Sequence, residues 1–170
     1  MKKCRNSAAQ ETLRRSFQPD HVKLLFVGES PPASGRFFYQ ADSGLYRAFR
    51  DTFAVLDSSI NDANFLSRFQ EYGCYLVDLC ADPVDNLQPK ARRTACAMAE
   101  DALAQTIDAL KPLTIAILLR SIEANVNRAI AKTNWSGSLI ALPYPGRWAR
   151  LRTEFATLLT PVIRELSRTD

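Results

Sequence analysis

The sequence predicts an α/β fold: three α/β/α layers around a mainly parallel four-stranded sheet. Three observations carry that prediction. Short apolar runs alternate along the chain with segments of helical spacing, the pattern of strand–helix–strand units. The runs are apolar enough to be covered on both faces, as strands of parallel sheets are. Finally, 170 residues, 46% of them hydrophobic, suit one domain with a substantial core.

Taken in order, Ser7–Phe17 is polar and weakly amphipathic and predicts a helix laid over the sheet, within a helical extension over residues 1–20. His21, the only histidine, comes just before the first strand, Lys23–Val27, which breaks at Gly28 into a polar loop. Leu45, Phe49, Phe53 and Leu56 then fall on one helical face, and Phe65, Phe69 and Tyr72 do so within Asn61–Tyr72. Gly73 stops that helix. Cys74–Cys80 predicts a second buried strand, closed before Pro83. A loop over Asp82–Lys90 leads into one long helix, Ala91–Leu110, which Pro112 ends. Leu113–Leu119 is the third strand, and a helix follows from Arg120 and Ser121 to Lys132. The fourth strand, Ser138–Leu142, meets the loop Pro143-Tyr144-Pro145-Gly146-Arg147-Trp148. A last helix runs toward Ser167, with Pro161 predicted to kink or split it. No repeat or linker divides the chain, so residues 1–170 read as a single domain.

Composition narrows the function classes. No apolar run approaches the roughly 20 residues needed to cross a bilayer, and the first 17 residues contain no signal-type apolar stretch, so the expected address is the cytoplasm. Four cysteines in that setting read as thiols or metal ligands. A net charge of +4 permits an anionic partner without demanding one. Neither a phosphate-binding loop nor a dinucleotide-binding glycine motif occurs.

Topology says which loops share a rim. With parallel strands, Glu29–Tyr39, Asp78–Leu87 and Leu142–Trp148 all leave the sheet at its carboxyl edge, where open α/β sheets bind ligands. They carry acids, aromatics, arginines and prolines, the material of stiff pocket walls. Glu29 is the residue hardest to explain by packing, although accepting backbone N–H bonds in a proline-stiffened turn competes as its role.

Gly28-Glu29-Ser30-Pro31-Pro32, followed by Gly35-Arg36-Phe37-Phe38, resembles the first motif of the uracil-DNA glycosylase superfamily, nearest to its iron–sulfur-bearing thermostable branch. The order of parts is similar from about Val22 to the last helix, and the loop LPYPGRW occupies the place of that family's second motif. The resemblance implies a glycosylase that flips a deaminated or damaged base out of DNA and hydrolyses its N-glycosidic bond. On this reading Glu29 is the catalytic carboxylate that orients water and stabilises the sugar cation. Phe38, with Phe37 as its rival, stacks on the base, while Asp78 and Tyr144 contact its edge. Pro145, Gly146, Arg147 and Trp148 form the loop that enters the minor groove.

The departures shift the expectation. Asp78 stands near the place of a family asparagine, and an ionised aspartate only accepts, which reads uracil poorly and favours a base presenting donors or none at all. The second-motif histidine is absent; its place falls to Leu142 or Tyr144. Cys80 and Cys96 resemble the second cysteine pair of the iron–sulfur branch and Cys4 precedes the first motif, but the amino-terminal pair is incomplete, so no cluster and no other cofactor or metal is expected. The expected partner is DNA with an extruded base, the expected state a monomer, with no membrane partner. A superfamily member that has lost catalysis and binds nucleic acid or a nucleobase-like ligand is the alternative. Ordinary roles compete elsewhere: core packing for Phe37, Phe38 and Tyr39, loop capping for Asp78, and solvated charge for Arg92, Arg93, Arg147, Arg150 and Arg152. A serine hydrolase built on Ser30 lacks a histidine base, since none follows His21.

Overall fold

Four short strands, β1 (Leu24–Gly28), β2 (Cys74–Asp78), β3 (Thr114–Ile117) and β4 (Ser138–Ala141), form one all-parallel sheet in the order β2-β1-β3-β4. The computed structural model describes residues 2–168, with side chains from residue 8 onward. Among the described residues seven α-helices flank the sheet: α1 (Lys2–Ser16), α2 (Gly44–Leu56), α3 (Phe65–Glu71), α4 (Pro89–Met98), α5 (Glu100–Leu110), α6 (Glu123–Ile130) and α7 (Ala149–Leu166). The chain crosses from β1 outward to β2 and then returns to β3 on the other side of β1. The gap between the carboxyl ends of β1 and β3 is therefore a topological switch point.

Aromatic packing fixes one helical layer. Phe26 of β1 meets Phe49 of α2 edge-on at 4.8 Å and Phe69 of α3 at 5.8 Å, and Phe49 reaches Phe155 of α7 at 5.0 Å. Ser43 caps α2 by accepting the Tyr46 N–H at 3.1 Å. α5 and α6 pair with each other and bury Leu103, Ile107, Val126 and Ala129. No helix among the described residues is long and apolar enough to cross a membrane.

The strand edge at β2 is closed by a side chain. Tyr39 Oη accepts the Leu76 N–H at 2.7 Å and donates to the Leu76 carbonyl at 3.1 Å, using up groups that would template another strand. α1 does not lie over the sheet as predicted. It packs by this edge instead, with Phe17 stacked on Tyr39 at 5.7 Å and Arg14 paired with Asp78 at 2.8 Å.

Other expectations are corrected. The helix predicted over Ala91–Leu110 is two, broken at Ala99, whose N–H is shared between the Ala95 and Cys96 carbonyls. The break lets buried Glu100 turn to α6, where it accepts from Asn125 at 2.8 Å and Arg128 at 2.7 Å. α3 starts later than Asn61, because Asn61 and Asn64 tie the preceding turn through their side chains. β2 and β3 end before Cys80 and Leu119, although Leu79 and Leu118 still donate to the Gly28 and Val27 carbonyls. Pro161 does not split α7: it and Thr157, whose carbonyl loses the helical N–H of residue 161, both lie on the exposed face, where solvent can reach that oxygen.

Candidate active site at the carboxyl end of the sheet

β1 is buried throughout and carries the chain to Gly28, so the next side chain, Glu29, is delivered to the sheet's carboxyl edge at the switch point. A cavity of about 270 Å³ opens there. Its walls bring together Glu29, Phe37, Phe38, Asp78 and Tyr144, five residues from three separate loops singled out in the sequence. Leu118 and Leu119 close it beyond β3, and Ser30, Arg36, Ser43, Asp85 and Arg92 add to its polar lining.

Glu29 is almost fully buried, and Arg92 of α4 takes both of its carboxylate oxygens: Nε donates to Oε1 at 2.8 Å and Nη2 to Oε2. Arg92 is therefore not the ordinary solvated charge the sequence suggested. The fork fixes the carboxylate plane, while the arginine side chain stays 38% exposed. On the same helix, one turn on, Cys96 Sγ stands 4.0 Å from Glu29 Oε1.

Asp78 ends β2 and faces the cavity from the other side. Arg14 of α1 donates to its Oδ2 at 2.8 Å and to Glu11 at 2.8 Å, with its guanidinium 5.4 Å from the Phe37 ring centre. Burial pushes the Asp78 carboxyl up to about 6, against the opposing pull of Arg14. Gly28 makes room for it, since a Cβ there would lie 2.8 Å from Asp78 Oδ1.

The aromatic walls differ in freedom. Phe38 is locked in the core cluster, 5.3 Å from Phe69 and 5.4 Å from Phe49, so a stacking role falls on the part of the ring that borders the cavity. Phe37 borders the same cavity, and its backbone N–H donates to Asp42 at 2.7 Å. Tyr144 is partly exposed and separates the cavity from a shallower cleft lined by Arg120 and Arg150. Burial and the nearby Asp78 charge raise its hydroxyl pKa.

Pro145, Gly146, Arg147 and Trp148 do not line the cavity. They form its outer lip: Pro145 is buried, Gly146 donates to the Tyr144 carbonyl at 2.8 Å and accepts from Arg152 at 2.9 Å, Arg147 is exposed, and Trp148 is 67% exposed. Ser30 Oγ accepts the Val84 N–H at 3.2 Å, and Asp85 accepts the Ala33 N–H, so these two pin the opposing loops together. His21 lies at the other end of the sheet, in a cleft with Gly73, which removes a base from reach of Ser30.

Cys80 and Cys96, which the resemblance sets beside a cluster's second cysteine pair, are neighbours in space: their Sγ atoms are 3.7 Å apart, both buried. Burial pushes the Cys80 thiol up to about 12. The side chain of Cys4 lies outside the described residues, and among those described no three metal-ligating side chains gather.

Arg14 and Arg92, which hold the two carboxylates of the candidate site, are the residues that sequence reasoning missed. A helix arginine carries no local sign of a carboxylate more than sixty positions away. No protein-family model matches the chain, and no curated protein matches its sequence.

Proposed function

We propose that this chain is a DNA glycosylase-like hydrolase that cleaves the N-glycosidic bond of a deaminated or otherwise damaged base extruded from DNA. One observation carries the reading: the Glu29 carboxylate at the carboxyl end of the central strand, in an aromatic-walled cavity of about 270 Å³. That volume, near the lower end of ligand sites at roughly 300 Å³, suits a single heterocycle. Breaking the bond leaves positive charge on the sugar and negative charge on the departing base. A carboxylate beside the sugar stabilises the first and orients the water that adds to it. Phe37, Phe38 and Tyr144 offer flat surfaces and edges to the base. Outside, Trp148 offers an apolar wedge, and Arg120, Arg147 and Arg150 offer charge to phosphates.

The test is excision from single- and double-stranded oligonucleotides carrying uracil, hypoxanthine or xanthine, and from methylated DNA, with alkali revealing abasic sites. The parent should give strand scission with at least one lesion, and Glu29→Gln should cut the rate by about 100-fold or more. Folded parent protein that yields no scission on any of these substrates overturns the catalytic reading.

A second reading, a catalytically inactive relative that binds a nucleobase-like ligand, is favoured by the bidentate Arg92 contact, which neutralises Glu29 where catalysis wants its charge. Binding of oligonucleotide or free base without scission would select it.

A further inference from the structure

Asp78 carries an acceptor that the protein leaves unused. Its Oδ2 is taken by Arg14 at 2.8 Å, but Oδ1 has no hydrogen-bond partner among the described residues. The side chain is only 9% exposed, and it lines the cavity opposite Glu29. Oδ1 is not shut in: among the described residues the one fully buried side-chain polar atom without a partner is Arg14 Nε, and Oδ1 opens onto the cavity that Asp78 lines. The neighbouring backbone is glycine at the one place where a Cβ would crowd Oδ1, at 2.8 Å. Arg14 cannot easily leave Oδ2, because Glu11 and the Phe37 ring hold it from two other sides. The carboxylate is thus fixed in orientation, with one lone-pair edge open to whatever fills the cavity.

We propose that Asp78 Oδ1 accepts an N–H from an exocyclic amino group of the bound heterocycle, so that the site selects amino-bearing bases. This rests on reading the cavity as a nucleobase pocket. An amino group gives Oδ1 a charge-assisted hydrogen bond, whereas a ring carbonyl at that place sets acceptor against acceptor. The imide N–H of uracil is hemmed by a carbonyl on each side, and both oxygens would be driven against the carboxylate. The substrate class that follows is a damaged base that keeps its amino group, such as an alkylated adenine, in preference to a deaminated one.

Calorimetric titration of the full-length chain at pH 8 with four free bases tests this. At that pH the ionised form prevails, since the carboxyl titrates at about 6. Adenine should bind at least about ten-fold tighter than purine, which lacks the amino group, and cytosine at least about ten-fold tighter than uracil. Asp78→Asn, whose amide can donate to a carbonyl, should erase or invert the cytosine–uracil difference. Gly28→Ala, which keeps the carboxylate but crowds Oδ1, should weaken both preferences. Equal binding within either pair, no binding of any of the four, or a preference that survives in Asp78→Asn overturns the inference; if neither variant folds, the parent's order of affinities decides it. Excision assays run beside the titrations separate the two claims. An amino preference without excision sinks only the glycosylase reading, and excision without an amino preference sinks only this one.

Discussion

Glu29 and Asp78 stand at the carboxyl ends of adjacent strands, line one cavity and each pair with an arginine from a distant helix, yet their environments are opposite in kind. Arg14 is 13% exposed and is wedged among Glu11, Asp78 and Phe37, whereas Arg92 is 38% exposed and holds Glu29 alone. Asp78 uses one oxygen and leaves the other open; Glu29 has both oxygens occupied. The first pair builds the wall by tying α1 to the sheet edge. The second covers a cavity-lining carboxylate with a cation that solvent can reach.

Removing the two arginines should break this symmetry most visibly. Arg14→Met strands a buried carboxylate and frees α1 from the β2 edge, so urea unfolding should show a loss of about 3 kcal/mol. Arg92→Met should lose about 1 kcal/mol or less, because its partner becomes accessible to water once the arginine is gone. Equal losses would mean that the pairs are alike and that the wall-and-cover distinction fails.

Acidity sharpens the contrast by a smaller amount. Burial raises the folded-state pKa of Asp78 to about 6 from an ordinary 3.8, so the native state holds its proton more tightly than the unfolded chain. Stability tied to this group is therefore full below about pH 4 and lost as pH rises through about 6. The charges facing it are Arg14 and, behind that, Glu11; Tyr39, Tyr75 and Tyr144 are all pushed up and stay neutral over the range. Measured against Asp78→Asn, the parent should lose about 2 kcal/mol between pH 4 and pH 7. A relative gain over that interval would show that the Arg14 pair outweighs burial.

The same contrast marks what the sequence could say. Strand positions were legible because β1, β2 and β3 are apolar runs bounded by glycine or proline, and their ends put Glu29 and Asp78 on one rim by topology alone. The arginines were not legible, since a charged residue on a polar helix face looks the same whether water or a carboxylate receives it. The break at Ala99 was hidden for a related reason. Every residue around it favours helix, and what divides α4 from α5 is Glu100 reaching across to Arg128 and Asn125. Pro161 misled in the other direction, because the penalty for an interior proline falls when the freed carbonyl faces solvent.

Salt offers the finest separation. Exposed charge pairs are screened within a Debye length of about 10 Å at 0.1 M and about 3 Å at 1 M, whereas pairs shut away from ions are screened far less. Double-mutant cycles pairing Asp78→Asn with Arg14→Met, and Glu29→Gln with Arg92→Met, give each coupling energy free of the stranded-partner penalty. In 0.1 M salt the Glu29–Arg92 coupling should be about 1 kcal/mol, and it should fall by about half at 1 M. The Asp78–Arg14 coupling should hold its value within the error of the cycle. If both couplings fall together, salt reaches the β2 edge as readily as the α4 side, and Asp78 is a wetter acceptor than its burial implies. If only the first falls, ions reach Glu29 from the α4 side by way of Arg92, while the pair at the β2 edge stays closed to them.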